Sequence, residues 1–250
     1  SLETRTPNIL KNNIEEEQYL NKLEPDLILV VSYGQIIPKN LLKIPKYGFL
    51  NIHASLLPKW RGAAPIQRSI MNLDKETGIS IMKINENLDE GPVCNQYQLK
   101  ISENMNADEL SDKLSLLASE KILDILDNIY RHKTQFKDQD HSKASYAKKI
   151  EKIEGKINWD ENPDKIIGKI NGLYPYPGAF FSFNGERYKI LKAEKSSTTG
   201  KPGDIVSENF EVCCGEGSIK VLSIQREGKR VQQINEFLLG TQIKKGFNIA

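Results

Sequence analysis

The sequence predicts an α/β fold: an open, Rossmann-like sheet that is only partly present, followed by a small oligonucleotide-binding-like β-barrel. Three observations carry this prediction. Residues 27–32, LILVVS, are a continuous apolar run of strand length, and a second run, FLNIH, ends at His53. A short helical connection over 38–42 joins the two runs into a βαβ unit. Beyond residue 150, short strands alternate with Gly and Pro turns, as they do in small barrels.

These features divide the chain into two domains. The first is expected over residues 1–132 and lacks its N-terminal part, and the barrel is expected over 150–250. The stretch between them, 133–149, is polar and has no apolar periodicity. Such composition is typical of a connecting segment, so it is interpreted as the linker.

Each element of the first domain has its own signal. The apolar run at 27–32 favours a central parallel strand covered on both faces. Asn106 and Glu109 are spaced for a capping box at the start of the clearest helix, and one face of that helix is apolar. The expected elements are helix 15–23, strand 27–32, helix 38–42, strand 49–52, helix 65–71, strands 77–84 and 93–100, and helix 102–131.

In the second domain the strongest signal is Asn184-Gly185, which favours a tight hairpin between strands 179–183 and 186–191. Asn162 is a suitable N-cap for a helix over 163–173. Further short strands are expected at 156–159, 204–206, 210–213 and 219–224.

The composition excludes several classes of protein. No apolar run approaches the roughly 20 residues of a membrane helix, and the N-terminus lacks the features of a signal peptide. The three cysteines have neither metal-binding nor disulfide spacing, so reduced thiols and no metal are expected. A cytoplasmic protein without a membrane partner is therefore the expectation. A monomer is expected as well, although the sequence does not show the oligomeric state.

Charge is unevenly distributed along the chain. Residues 1–141 carry 17 Lys and Arg against 20 Asp and Glu, a net charge of −3, whereas residues 142–250 carry 18 against 13, a net charge of +5. A basic second half suits a surface that faces nucleic acid, although a solvated basic face also explains so small an excess.

The candidate active site lies where the second strand ends. Asn51 and His53 are two residues apart in a strand and so project from the same face, and Asp89 follows later in NENLDEGP. Acyl transfer to an amine needs donors for an oxyanion and a group that manages a proton, which an amide, an imidazole and a carboxylate supply together. The same residues also fit a hydrogen-bonded structural histidine and an acidic turn. His132, at a helix end, and His141, in the linker, are assigned no role.

The residues from Asn51 onward carry a resemblance. NIHASLLPKWRGAAPIQRSI followed by TGISIMKINENLDEGP resembles the signature of the folate-dependent formyltransferases. RGAAPIQ is similar to the branch that formylates the methionyl amine of initiator tRNA. Glycinamide ribonucleotide formyltransferases share the Asn-x-His pattern but are not expected to carry the continuation from Trp60 to Gln67.

The resemblance implies transfer of a formyl group from 10-formyltetrahydrofolate to initiator methionyl-tRNA. Asn51 and His53 would polarise the formyl group, and Asp89 would support His53 and relay protons. Arg61 would orient a loop or substrate, or simply be a surface residue. The segment matching the tetrahydrofolate contact is Ser55, Leu56, Leu57 and Pro58, and the loop bordering the pterin pocket is Tyr33 and Gly34. The barrel would help to hold the tRNA, with Lys148, Lys149, Lys152 and Lys156 as candidate contacts.

The sequence departs from the family at its start. The first strand, its loop and a basic insertion that meets the tRNA have no counterpart before Ser1, so low unaided activity is expected. The alternatives are another 10-formyltetrahydrofolate-dependent formyltransferase acting on a sugar amine, a related hydrolase, and a catalytically silent RNA-binding remnant.

Overall fold

The computed structural model describes residues 3–250 and divides them into two compact units. The first comprises the chain up to Pro65 together with Glu76–Lys100 and Lys113–Lys148. The second comprises Ile66–Lys75, Ile101–Asp112 and Lys149–Ala250. None of the helices in the described residues is long and apolar enough to cross a membrane.

The described residues contain eleven strands, six α-helices and two short 3₁₀ helices. The strands are β1 Ile28–Val31, β2 Phe49–His53, β3 Arg61–Gly62, β4 Glu76–Lys83, β5 Val93–Lys100, β6 Tyr146–Ala147, β7 Ala179–Phe183, β8 Glu186–Ser196, β9 Glu211–Cys213, β10 Ser218–Arg226 and β11 Gln232–Gln233. The α-helices are α1 Ile14–Leu23, α2 Lys39–Leu42, α3 Pro65–Met71, α4 Ala107–Tyr130, α5 Pro163–Gly172 and α6 Ile234–Gly240. The 3₁₀ helices are His141–Lys143 and Lys152–Gly155.

The sheet of the first unit has the order β1-β2-β4-β5. β1 and β2 run parallel, which confirms the predicted βαβ unit, and β4 and β5 add antiparallel neighbours. The prediction that β1 is a central strand covered on both faces is wrong for the described sheet. β1 lies at its edge and alternates half-buried with exposed residues, with Val31 56% exposed. An unbroken apolar run does not distinguish an edge strand from a central one.

Helix α4 forms as its sequence predicts. Asn106 Oδ1 accepts from Glu109 N at 2.9 Å, and Glu109 Oε2 accepts from Asn106 N at 3.2 Å, so the capping box is present. The helix therefore begins after Asn106 and not at residue 102. Its apolar face is buried at Leu110, Leu114, Ile125 and Ile129.

In the second unit, a five-stranded antiparallel sheet surrounds one apolar core. Its order is β11-β10-β8-β7, with β9 also paired to β10. Asn184 and Gly185 both have positive φ, 49° and 79°, as a tight hairpin turn between β7 and β8 requires. Two predicted strands are wrong. Residues 156–159 follow a 3₁₀ helix and form only a bridge at Lys156, and residues 204–206 form only isolated bridges.

The stretch interpreted as a linker is ordered against the first unit. Lys137 bridges Val93, and β6 pairs with β3 through Arg61 and Tyr146. Backbone hydrogen bonds and the polar side chain of Gln139 hold this stretch, which is why it lacks apolar periodicity. The boundaries 1–132 and 150–250 of the two domains stay a prediction.

Candidate active site

Strand β2 carries the candidate residues between two neighbours of the sheet. Phe49 and Leu50 are buried at its start, and His53 stands at its end, opposite Ser80 of β4. Asn51 is half-buried, and within residues 3–250 its side-chain amide has no hydrogen-bond partner. Both N–H bonds of that amide are therefore available to a ligand.

The imidazole of His53 lies between a carbonyl and a carboxylate. Its Nε2 is 2.8 Å from the carbonyl oxygen of Trp60, and its Nδ1 is 3.6 Å from Oδ2 of Asp89. A carbonyl oxygen can only accept, so Nε2 carries a proton. Nδ1 is then the nitrogen that can exchange a proton in the direction of Asp89.

The carboxylate of Asp89 is held by the backbone of β3. Gly62 N donates to Oδ2 of Asp89 at 2.8 Å, and this oxygen is also the one that faces His53. The side chains of His53 and Asp89 are 6% and 15% exposed. Both side chains are therefore largely shielded from bulk water. The structure thus brings His53 and Asp89 together, as the sequence predicts.

The loop between β2 and β3 contains the four residues predicted to contact folate. Ser55 is fully buried, and its hydroxyl donates to the carbonyl of Lys59 at 2.5 Å, so it is committed to the loop itself. Leu57 is buried, and the Leu57–Pro58 peptide bond is cis. Leu56 and Pro58 are half-buried and are the two that offer apolar surface.

Tyr33 and Gly34 follow β1. Tyr33 is exposed, and Gly34 has open space where a Cβ would be. Their predicted place beside a pterin stays a prediction.

Arg61 is not a surface residue. It is the largest side chain that is fully buried, with a relative exposure of 1%. Its Nη1 donates to Oε1 of Glu90 at 3.1 Å and lies 3.3 Å from Nδ1 of His141. Of the two sequence interpretations, orientation of a loop is the one that these contacts support.

Sequence reasoning misses the residues of segment 133–148 that approach the site. It gives His141 no role beyond the linker and does not single out Gln139, although both residues contact Arg61. The signal that the sequence offers is the dipeptide Arg61-Gly62 after β2. A buried arginine needs hydrogen-bond partners, and the polar segment 133–148 is one source of them.

The fold and this polar cluster define the class of the protein as a formyltransferase. Residues 3–126 match the family described as formyl transferase, and residues 149–242 match the family described as its C-terminal domain. The four-stranded α/β sheet lies within the first match, and the five-stranded antiparallel sheet lies within the second.

Curated relatives narrow the class. The chain is 60% identical over 250 residues to the methionyl-tRNA formyltransferase of Pelagibacter ubique (strain HTCC1062), a match that covers 100% of this chain and 81% of that protein. It is 42% identical over 247 residues to the methionyl-tRNA formyltransferase of Ehrlichia canis (strain Jake), covering 97% and 79%. The chain belongs to the methionyl-tRNA formyltransferase family of enzymes, which confirms the resemblance seen in its sequence.

Solved structures share the fold. HypX from Aquifex aeolicus in complex with tetrahydrofolic acid matches with a TM-score of 0.70 and 19% identity, over 92% of this chain and 41% of that chain. WlaRD, a sugar 3N-formyl transferase, matches with a TM-score of 0.65 and 21% identity, over 84% and 77%. At these identities the likeness is evidence of fold alone.

Proposed function

We propose that this protein transfers the formyl group of 10-formyltetrahydrofolate to the amino group of initiator methionyl-tRNA, in the cytoplasm. The observation that carries the proposal is the approach of Nδ1 of His53 to Oδ2 of Asp89 at 3.6 Å, at the end of the strand that also carries Asn51. Membership of the methionyl-tRNA formyltransferase family supports the choice of acceptor.

The three residues can divide the chemistry among them. The amine nitrogen bonds to the formyl carbon while negative charge moves to the formyl oxygen. An N–H of Asn51 would donate to that oxygen, as a preorganised donor does in an oxyanion hole. Asp89 would accept the proton that the amine loses, directly or through water, and pass it to Nδ1 of His53. His53 would deliver this proton to the departing folate nitrogen as its bond to carbon breaks and the carbonyl re-forms. The amine nitrogen thus loses its proton before the amide product forms.

The folate side of the proposal rests on the loop after β2. Leu56 and Pro58 offer half-buried apolar surface next to the strand end, which suits a flat heterocycle. Ser55 and Leu57 hold the loop in place, and Tyr33 with Gly34 would border the same pocket. Ligands of open α/β sheets sit beyond the carboxyl ends of the strands, where this loop begins. HypX, bound to tetrahydrofolic acid, has the same fold.

The tRNA side rests on the second unit. A cleft of about 240 Å³ is lined there by Lys152, Arg187 and Lys189 together with Tyr176, which is 64% exposed. The Nζ of Lys189 lies 5.8 Å from the ring centroid of Tyr176. Cations beside exposed aromatic rings are typical of surfaces that bind single-stranded RNA. We propose this cleft as a tRNA contact together with the candidate residues Lys148, Lys149 and Lys156.

The test is a formyl transfer assay with 10-formyltetrahydrofolate and three acceptors: initiator methionyl-tRNA, a nucleotide-linked amino sugar and water alone. Formyl-methionyl-tRNA is the expected product. His53→Ala and Asp89→Asn should each lower kcat by about 10²-fold to 10⁴-fold, as loss of a general acid or base does. Binding of tRNA, measured separately by filter retention, should not change in either variant.

Each alternative has its own outcome. If only the amino sugar is formylated, the acceptor is a sugar amine and not methionyl-tRNA. If formate is released without any acceptor, the protein is a hydrolase. If the protein binds tRNA but transfers no formyl group, it is an RNA-binding protein without this activity. Full activity in both variants would refute the assignment of His53 and Asp89.

A further inference from the structure

Asp89 has a backbone conformation that its surroundings must hold. Its φ is 51°, in the left-handed region that residues other than Gly seldom adopt. The carboxylate is fixed by Gly62 N at 2.8 Å. A side chain is aimed reproducibly only when its own backbone is fixed as well, so the carbonyl of Asp89 needs a partner.

Gln139 supplies that partner and uses its whole amide to do so. Its Nε2 donates to the carbonyl oxygens of Asp89 at 2.9 Å and Gly91 at 2.7 Å. Its Oε1 accepts from Nε and Nη2 of Arg61 at 3.1 and 2.8 Å. Two donors and two lone pairs are all that a glutamine amide has, and all four are occupied in a residue that is 8% exposed.

Arg61 anchors Gln139 in turn. Its guanidinium also donates to Glu90, the residue after Asp89, so Arg61 holds the acidic turn at one further point. Because a guanidinium cannot accept a hydrogen bond, the facing Nδ1 of His141 is the acceptor. The next residue along the chain, Gly62, binds the Asp89 carboxylate. The side chain of Asp89 is therefore bonded directly to Gly62, and its backbone carbonyl is connected to the neighbouring Arg61 through Gln139.

We infer that Gln139 is a positioning residue for formyl transfer: it sets the direction in which Asp89 faces Nδ1 of His53, and Arg61 holds it in place. This inference rests on the proposed function, because it gives Asp89 its role in that reaction. Misplacement of a reacting group by about 1 Å can cost about 10²-fold in rate.

A purely structural role for Gln139 is the rival interpretation, and one substitution separates the two. Gln139→Glu keeps the oxygen that Arg61 needs and removes both N–H donors to Asp89 and Gly91. If the only role of Gln139 is to accept hydrogen bonds from Arg61, the variant should keep its activity. If Gln139 positions Asp89, the variant should lose activity although Arg61 remains paired.

The experiment measures kcat and KM for both substrates in Gln139→Glu, in Asp89→Asn and in the double variant. We expect Gln139→Glu to lower kcat by about 10-fold to 100-fold, up to the loss that a misplacement of about 1 Å causes. KM should change by less than about twofold. The double variant should be no slower than Asp89→Asn alone, because both changes act through one carboxylate.

Three kinetic results would overturn the inference. They are a kcat within twofold of the unmodified protein, a loss confined to KM, and multiplication of the two single effects in the double variant. Ile125→Ala, a cavity in the buried face of α4, is the control for lower stability and should leave kcat unchanged. If Gln139→Glu does not fold, Gln139→Met replaces it, since Met has a similar volume and no donor.

A readout without turnover keeps this test separate from the proposed function. Hydrogen exchange of the Gly62 amide reports its bond to Asp89, and the Ala64 amide, bonded to the Ala147 carbonyl, is the internal control. We expect faster exchange at Gly62 and unchanged exchange at Ala64 in Gln139→Glu. Equal protection of Gly62 in both proteins would refute the positioning role, even if no formyl transfer were detected.

Discussion

Ser80 shows how much one buried hydroxyl can hold. Its Oγ donates to the Ser55 carbonyl at 2.6 Å and accepts from Leu57 N at 3.0 Å and from Nε2 of Gln96 at 2.8 Å. The residue is fully buried, so none of these bonds can be replaced by bulk water. Ser80 on β4 therefore ties the loop after β2 to the sheet, and with it the candidate folate surface.

Ser80→Ala is expected to lower the free energy of unfolding by about 1–3 kcal/mol, because it leaves the Leu57 N–H and the Ser55 carbonyl buried without a partner. Urea unfolding at neutral pH measures this. The matched control is Ser119→Ala on the exposed side of α4, where the change should stay within about 0.5 kcal/mol. Equal effects of the two substitutions would contradict the account of Ser80.

At the scale of elements, two glycines let α5 approach its neighbour within the second unit. Gly168 and Gly172 are four residues apart and lie on one face of the helix. A Cβ at Gly172 would lie 2.6 Å from Cγ of Met71 and 3.0 Å from the Gln67 carbonyl oxygen. The contact is therefore too close for any side chain larger than hydrogen unless the neighbours move.

Gly172→Ala should lower the free energy of unfolding by about 1–3 kcal/mol through overpacking, against a gain of about 1 kcal/mol in helix propensity. A net loss is thus the expected sign. Gly240→Ala, in α6 with nothing within 4 Å of the new Cβ, is the control and should be neutral or stabilising. The melting temperatures of the two variants test this. An equal increase in both would show that α5 accommodates a methyl group at position 172 without overpacking.

The ion pair of Arg68 and Glu154 joins α3 to the 3₁₀ helix Lys152–Gly155. Their closest atoms, Nη1 and Oε2, are 2.6 Å apart, and hydrogen bonds from Arg68 are the main reason that the pKa of Glu154 lies below its usual value. The unfolded chain thus binds this proton at a higher pH than the folded chain. The stabilisation is fully present above the unfolded pKa of about 4.3 and is lost as pH falls through the lower folded pKa.

Glu154→Gln should therefore lower the free energy of unfolding at pH 7 by about 1 kcal/mol, a modest figure because the pair is partly exposed. Its difference from the unmodified protein should shrink as pH falls below about 4. Urea unfolding at a series of pH values measures both. Asp127→Asn, which breaks the exposed Asp127–Arg131 pair of α4, serves as control and should have little effect at any pH. If the difference in unfolding free energy between the two proteins is the same at every pH, protonation of Glu154 does not control this stabilisation.

For the molecule as a whole, the sequence is informative where a pattern is local. The capping box of α4, the hairpin at Asn184-Gly185 and the pairing of His53 with Asp89 all depend on short spacings or on a family motif. The edge position of β1 and the burial of Arg61 depend instead on which distant segments arrive beside them. No local pattern shows that residues 133–148 return to β3, so Gln139 could be found only in the structure.

Charge is also a property of the whole chain, and it carries the last prediction. Residues 142–250 have a net charge of +5, so tRNA affinity should fall steeply as salt rises, by counterion release. The double variant Lys149→Gln/Lys152→Gln should weaken tRNA binding and reduce the slope of log affinity against log salt by roughly one for each phosphate that the protein no longer neutralises. The pair Lys113→Gln/Lys133→Gln changes net charge equally within the acidic half of the chain and should leave the slope unchanged. If both pairs lower it equally, the effect is one of overall charge, and the proposed tRNA surface is wrong.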